Sequence, residues 1–167
     1  MLLVEGDSLD SVLKLSEVTC SNTIRRNSNL FRHSVRDGDD QWAQHLIHRA
    51  SDGTPVRSKS ELAIMNACIS AGLGPRYELK LASVSDDTYK LPDFTFVTDA
   101  DERIIWEHLG MLDIASYADG WQRKRSWYAD QGYVEGETLF TTHERGGLDS
   151  TLIAETIERV REAIAES

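Results

Sequence analysis

From Ser58 onward the apolar positions of this chain switch between helical and strand periods. Leu62, Met65 and Ile69 fall on one helical face, and Gly72 and Gly74-Pro75 stop the run, which predicts a helix from about residue 58 to 72. Tyr77 to Leu81 alternates and predicts a strand, followed by a polar loop over Ser83 to Thr88. Leu91-Pro92-Asp93-Phe94-Thr95-Phe96 carries aromatic and β-branched residues behind a proline. The run ending Ile104-Ile105-Trp106-Glu107-His108-Leu109-Gly110 is short and continuously apolar, so both predict strands, joined across Thr98 to Glu102. A second helix is expected from about Asp113 to Gln131, a further strand over Thr138 to Thr142, a turn at Gly146-Gly147, and a last helix with Ile153, Ile157, Val160 and Ile164 on one face. The order α-β-β-β-α-β-α predicts an α/β fold with a small mixed central sheet flanked by helices.

The first 55 residues follow a different pattern. Asp39 or Asp40 is placed to cap a short helix running through Arg49, with Trp42 and Leu46 as an i,i+4 apolar pair. Asp52-Gly53-Thr54-Pro55 is turn chemistry and a plausible boundary, which divides the chain into an N-terminal extension, 1–55, and a main domain, 56–167. Arg25, Arg26, Arg32, His33 and Arg36 form its one basic stretch.

Charge narrows the range of partners. A formal net charge of −10 argues against wrapping nucleic acid on a broad basic surface, because Lys and Arg contacts to phosphate supply most non-specific affinity. Any DNA contact must then be local, and Arg25, Arg26 and Arg32 are the expected DNA-binding residues. No apolar stretch approaches the ~18 residues needed to span a bilayer, and Met-Leu-Leu-Val is followed at once by Glu5 and Asp7, unlike a signal peptide, so no membrane role and a cytoplasmic location are expected. Cys20 and Cys68 have no CxxC spacing and read as small buried hydrophobes.

Asp93 and Glu107 are the candidate chemistry. Two acids at the ends of paired strands cost desolvation unless something binds them, and together they can hold a hard divalent cation. Tyr117, Trp121, Lys124 and Tyr128 share a helical face at i, i+4, i+7 and i+11, so Lys124 points toward the sheet, with Arg123 and Arg125 beside it as alternative cations. Glu61 stands three residues after Ser58 and fits either a site acid or the second half of a capping box. The His108 side chain faces away from Glu107 and is expected in the core. His45 and His48 lie i,i+3 on the expected helix and read as surface residues, and His143 follows a strand and is a candidate to approach substrate.

Arg57-Ser58-Lys59-Ser60-Glu61, Pro92-Asp93-Phe94 and Trp106-Glu107-His108-Leu109-Gly110, in this order, resemble the PD-(D/E)XK nuclease superfamily. The Glu-His-Leu-Gly form is similar to the branch found at the C-terminal end of superfamily 1 DNA helicases, and the resemblance covers about residues 55 to 165. It implies a restriction-endonuclease-like core and metal-dependent hydrolysis of DNA in repair, recombination or defence. Mg²⁺ or Mn²⁺ would be held by Asp93, Glu107 and the backbone carbonyl of His108, with Glu61 acting through a water and Lys124 completing the catalytic set. The family's lysine is expected two residues after the second acid, where this chain has Leu109. In some members a lysine from a neighbouring helix supplies that charge, which makes Lys124 the candidate. Loss of the in-motif lysine equally implies a catalytically inactive, nuclease-like DNA-binding module acting with a helicase. The N-terminal 55 residues look like the trailing edge of such a motor, in cis or in trans.

Overall fold

A computed structural model describes residues 46–144 and 146–167; Arg25, Arg26, Arg32 and His45 lie outside them. The described residues belong to one compact unit. It opens with a hairpin of β1 (His48–Arg49) and β2 (Pro55–Val56), turned at Gly53 with φ 90°. Residues 46–49 are therefore not helical, contrary to expectation, because His48 and Arg49 pair with Val56 and Pro55; the expected cap at Asp39 or Asp40 and Trp42 lie outside the described residues. The turn expected at Asp52–Pro55 joins these two strands. Ala50 beside it is buried in the core, and Ser51 N–H donates to Asn66 Oδ1 at 2.8 Å.

Helix α1 (Lys59–Ser70) starts at Ser58, whose side chain accepts from Glu61 N–H while Glu61 reaches back to the Ser58 N–H. The strand expected over Tyr77 to Leu81 is two short strands. β3 (Arg76–Tyr77) joins the main sheet, and β4 (Leu81–Ala82) pairs with β5 (Tyr89–Lys90) in a separate ribbon around the Ser83–Thr88 loop. The break falls at Glu78, held at φ 46° by a two-pronged ion pair with Arg57 at 2.6 and 2.8 Å, an interaction between segments that local alternation does not reveal.

β6 (Phe94–Val97) and β7 (Arg103–Leu109) form the antiparallel centre, turned at Asp101, which tolerates its φ of 63° as aspartates in turns do. Helix α2 (Ala115–Asp130) carries the chain across to β8 (Leu139–His143), which runs parallel to β7, and α3 (Ser150–Ala165) closes the unit behind an Asp149 cap. The sheet order is β3-β6-β7-β8, small and mixed, and the fold is α/β as expected.

Alternation along β7 sorts the core into two layers. Ile104 and Trp106 join Phe94, Phe96 and Phe140 beneath α1 and α3, where Ile153, Ile157 and Val160 supply the apolar stripe. Ile105 and Leu109 face the other way and meet Trp121 and Tyr128 of α2. Cys68 is fully buried, as its reading as a small hydrophobe requires. Among the described residues no helix is long and apolar enough to cross a membrane.

Candidate active site

Glu107 shares the α2-facing side of β7 with Ile105 and Leu109, so it lies under α2 and is only 3% exposed. Asp93 immediately precedes β6. Phe94 pairs with Trp106 at the last step of the antiparallel ladder, and one residue earlier the ladder gives way to a side chain: Asp93 Oδ2 accepts the His108 N–H at 2.7 Å. This bond satisfies a strand N–H that has no backbone partner past the end of β6, and it fixes the Asp93 carboxylate beside Glu107. Along a strand the N–H and C=O of one residue point to the same side, so the His108 carbonyl also faces Asp93.

Helix α2 supplies the opposing charge. Lys124 Nζ lies 2.6 Å from Glu107 Oε1 and donates to the Leu91 carbonyl at 3.0 Å, which places it against the segment that carries Asp93. One turn on, the Tyr128 hydroxyl donates to the same Glu107 oxygen at 2.5 Å. The helical stripe thus brings Lys124 to the acids, as its spacing predicts. Arg125 points elsewhere and pairs with Glu135, and Arg123 is exposed.

Desolvation, and then the charge of Glu107, hold the Asp93 carboxyl well above the usual carboxylate range, only partly offset by Lys124 and the His108 N–H. Burial likewise raises Glu107, against the charge of Lys124 and its hydrogen bonds from Lys124, Tyr128 and Asp93. Two carboxyl groups in one low-dielectric recess favour sharing a single negative charge opposite the one lysine. Tyr117 sits within their field. Its hydroxyl is raised first by burial and then by the charges of Asp93 and Glu107.

Glu61 is not brought into this group. Its Oε2 accepts from the Arg57 and Ser58 N–H groups, each at 3.1 Å, and from the Tyr77 hydroxyl at 2.6 Å, so it closes the start of α1. Its charge affects the Asp93 carboxyl less than burial, Glu107, Lys124 and the His108 N–H do. His143 ends β8 opposite Leu109 on the sheet side of Glu107, and His48 stands in the hairpin. Among the described residues no group of three or more His, Cys, Asp or Glu is poised to hold a metal.

Two features escape a reading of the sequence. Tyr128 is Glu107's hydrogen-bond donor, although its place one turn from Lys124 on the same stripe marks it in retrospect. The second is a polar chain on the opposite face of the sheet. Trp106 Nε1–H donates to Thr142 Oγ1 at 2.9 Å, His108 Nδ1 meets the same oxygen at 2.9 Å, and His108 Nε2 lies 3.3 Å from Glu144, which also accepts from the Ser60 hydroxyl. His108 is thus buried, as expected, but among polar partners. Compared with protein-family models, curated proteins and solved structures, the chain matches none, and its functional reading rests on this geometry.

Proposed function

We propose that this protein is a metal-dependent nuclease that hydrolyses DNA phosphodiester bonds on a restriction-endonuclease-like core. The observation that carries the reading is the convergence of two acids from adjacent strands, Asp93 and Glu107, with one lysine from the crossover helix, at 2.6 Å from Glu107. Glu107 is buried and Asp93 beside it is half-buried, and with the Asp93 carboxyl raised by desolvation and then by its neighbour's charge, the two form a site that a cation would stabilise.

The donor chemistry fits magnesium or manganese. Asp93, Glu107 and the His108 carbonyl offer hard oxygen ligands, and Mg²⁺ commonly binds through one or two carboxylates while keeping several waters, so a cluster of three acids is not required. When bound, such an ion supplies Lewis-acid polarisation of a phosphate oxygen and an acidified water. The chain's own residues do the remainder. Lys124, about a quarter exposed and held by Glu107 and the Leu91 carbonyl, offsets charge that develops on the phosphate. Tyr128 and the His108 N–H hold the two acids in fixed orientation, and the cover of α2 limits bulk water. Glu61, engaged in the α1 cap, takes no part in holding the metal.

A second reading has two observations in its favour: a buried Leu109 where the family's lysine belongs, and a Glu61 engaged in a helix cap. In that reading the protein is an inactive, nuclease-like DNA-binding module that serves a helicase. Cleavage assays on single-stranded, duplex and branched DNA with Mg²⁺, Mn²⁺ or EDTA separate the two. Metal-dependent cutting that vanishes in Asp93→Ala and Glu107→Ala supports the nuclease, and DNA binding with no cutting under any metal condition supports the module.

A further inference from the structure

The β4–β5 ribbon stands outside the main sheet and is anchored to the rest of the unit by side-chain contacts. Leu81 is buried in the α2-side core, Val84 N–H donates to Gln131 Oε1 at 2.8 Å, and Trp127 Nε1–H donates to Thr88 Oγ1 at 2.9 Å. Because Leu81 and its partner Lys90 face α2, alternation sends Ala82, Tyr89 and Leu91 outward. On that outer face Tyr89 is 43% and Leu91 37% exposed, and Lys80 Nζ lies 4.3 Å from the centre of the Tyr89 ring. At the ribbon's inner edge Lys90 Nζ lies 5.8 Å from the centre of the Trp127 ring. The ribbon then runs directly into the candidate site: Leu91 holds Lys124 through its carbonyl, and Asp93 is two residues further on.

The geometry points to the outer face of this ribbon as a binding track for single-stranded DNA, with Tyr89 as a stacking platform for a base and Lys80 as a phosphate contact, delivering the strand toward Lys124. An exposed aromatic beside a lysine is what an unpaired strand needs, since every base has a π-face and every step a phosphate, whereas a duplex hides its bases. A rigid platform also avoids the ordering cost that a mobile loop would bring. Asp86 and Asp87 at the hairpin tip repel phosphate, so the track leads from Tyr89 toward Leu91 and away from the tip. This assignment deepens the nuclease reading by naming its substrate class and rests on it for the direction of the track, but binding can be measured without cleavage.

The test is fluorescence anisotropy of a labelled oligothymidine and of a duplex of equal length with the full chain in EDTA, where no cutting occurs. Tyr89→Ala weakens single-strand binding about tenfold or more and leaves its salt slope unchanged, Tyr89→Phe binds as the parent does, and Lys80→Gln lowers the log–log salt slope by about 0.7. Melting curves of the variants, all changed at exposed positions, check that the fold is intact. Parent-like binding by Tyr89→Ala, equal loss on duplex and single strand, or no oligothymidine binding by the parent overturns the assignment, and the last two results leave the outer face to a protein partner. If the parent cuts nothing with Mg²⁺ or Mn²⁺ yet Tyr89-dependent single-strand binding persists in EDTA, the nuclease reading fails and the track stands.

Discussion

Lys124 Nζ lies 2.6 Å from Glu107 Oε1, although helix α2 and strand β7 place these residues in different layers of the fold. Glu107 is buried and Lys124 reaches solvent along one side, so the pair combines a buried anion with a partly exposed cation. A lysine on a helix thereby supplies the charge opposite the acids, while Leu109, two residues after Glu107, fills the α2-side core.

Lys124→Ala is expected to lower DNA cleavage about 100-fold or more, as loss of a preorganised charge does. Arg125→Ala, which breaks only the exposed pair with Glu135, is expected to leave the rate within about threefold, since exposed pairs contribute at most ~1 kcal/mol. Single-turnover rates with Mg²⁺ check this, and equal losses in the two variants would mean that the wrong cation has been assigned. Lys124→Ala also leaves Glu107 without its ion pair. The stability cost should fall below the roughly 3–5 kcal/mol of a fully buried pair, because the recess opens to water on the lysine side.

Asp93 sets a pH dependence whose sign follows from its direction of shift. Its folded-state pKa lies well above the unfolded value, so between those two values the folded protein binds more protons than the unfolded chain. In EDTA, stability therefore falls as pH rises through that window, with the full loss reached above the folded pKa. Asp93→Asn makes this slope shallower, leaving the part that the raised Glu107 carboxyl contributes, and is expected to be more stable than the parent at pH 8, because one of two neighbouring carboxylates is gone. Urea midpoints across pH for both proteins measure it. Mg²⁺ competes with the proton for the same oxygens, so the rise in Tm that it brings to the parent should be larger at pH 8 than at pH 5.

The helices, β7 and β8 were legible because each owes its form to local pattern: the Leu62, Met65, Ile69 face, the continuous Ile104-Ile105-Trp106 run and the Ile153 to Ile164 stripe. The acids and Lys124 were legible for the same reason, since period two and period 3.6 fix which face each residue takes. What was not legible depends on contacts between distant segments. The split at Glu78 needs Arg57, the β1–β2 hairpin needs Val56 opposite His48, and the identity of Glu61 as a cap needs Tyr77. Sequence spacing alone left Glu61 open between two roles, and its three hydrogen bonds favour the structural one.

Glu61→Gln should therefore act on stability before chemistry. The amide keeps one oxygen for the Ser58 N–H but loses charge at the first turn of α1, for an expected cost of about 0.5–1 kcal/mol. Manganese affinity, measured by titration calorimetry, should change less than twofold. A loss of metal affinity of tenfold or more with an unchanged melting temperature would return Glu61 to the metal site.

Thr142→Val tests whether the polar chain behind β7 holds that strand in place. The substitution keeps the shape of a side chain that is 1% exposed, but it leaves Trp106 Nε1–H and His108 Nδ1 without the oxygen they share. Each buried polar group left unsatisfied costs about 1–3 kcal/mol, so for the two of them a total loss of roughly 2–6 kcal/mol is expected from chemical denaturation, while Thr142→Ser, which keeps the hydroxyl, should lose less than half of that. Because His108 donates its backbone N–H to Asp93, a slackened β7 should also raise the metal concentration needed for half-maximal cleavage in the valine variant and not in the serine one. Valine and serine variants of equal stability would show that Thr142 contributes by its volume and not by its hydroxyl.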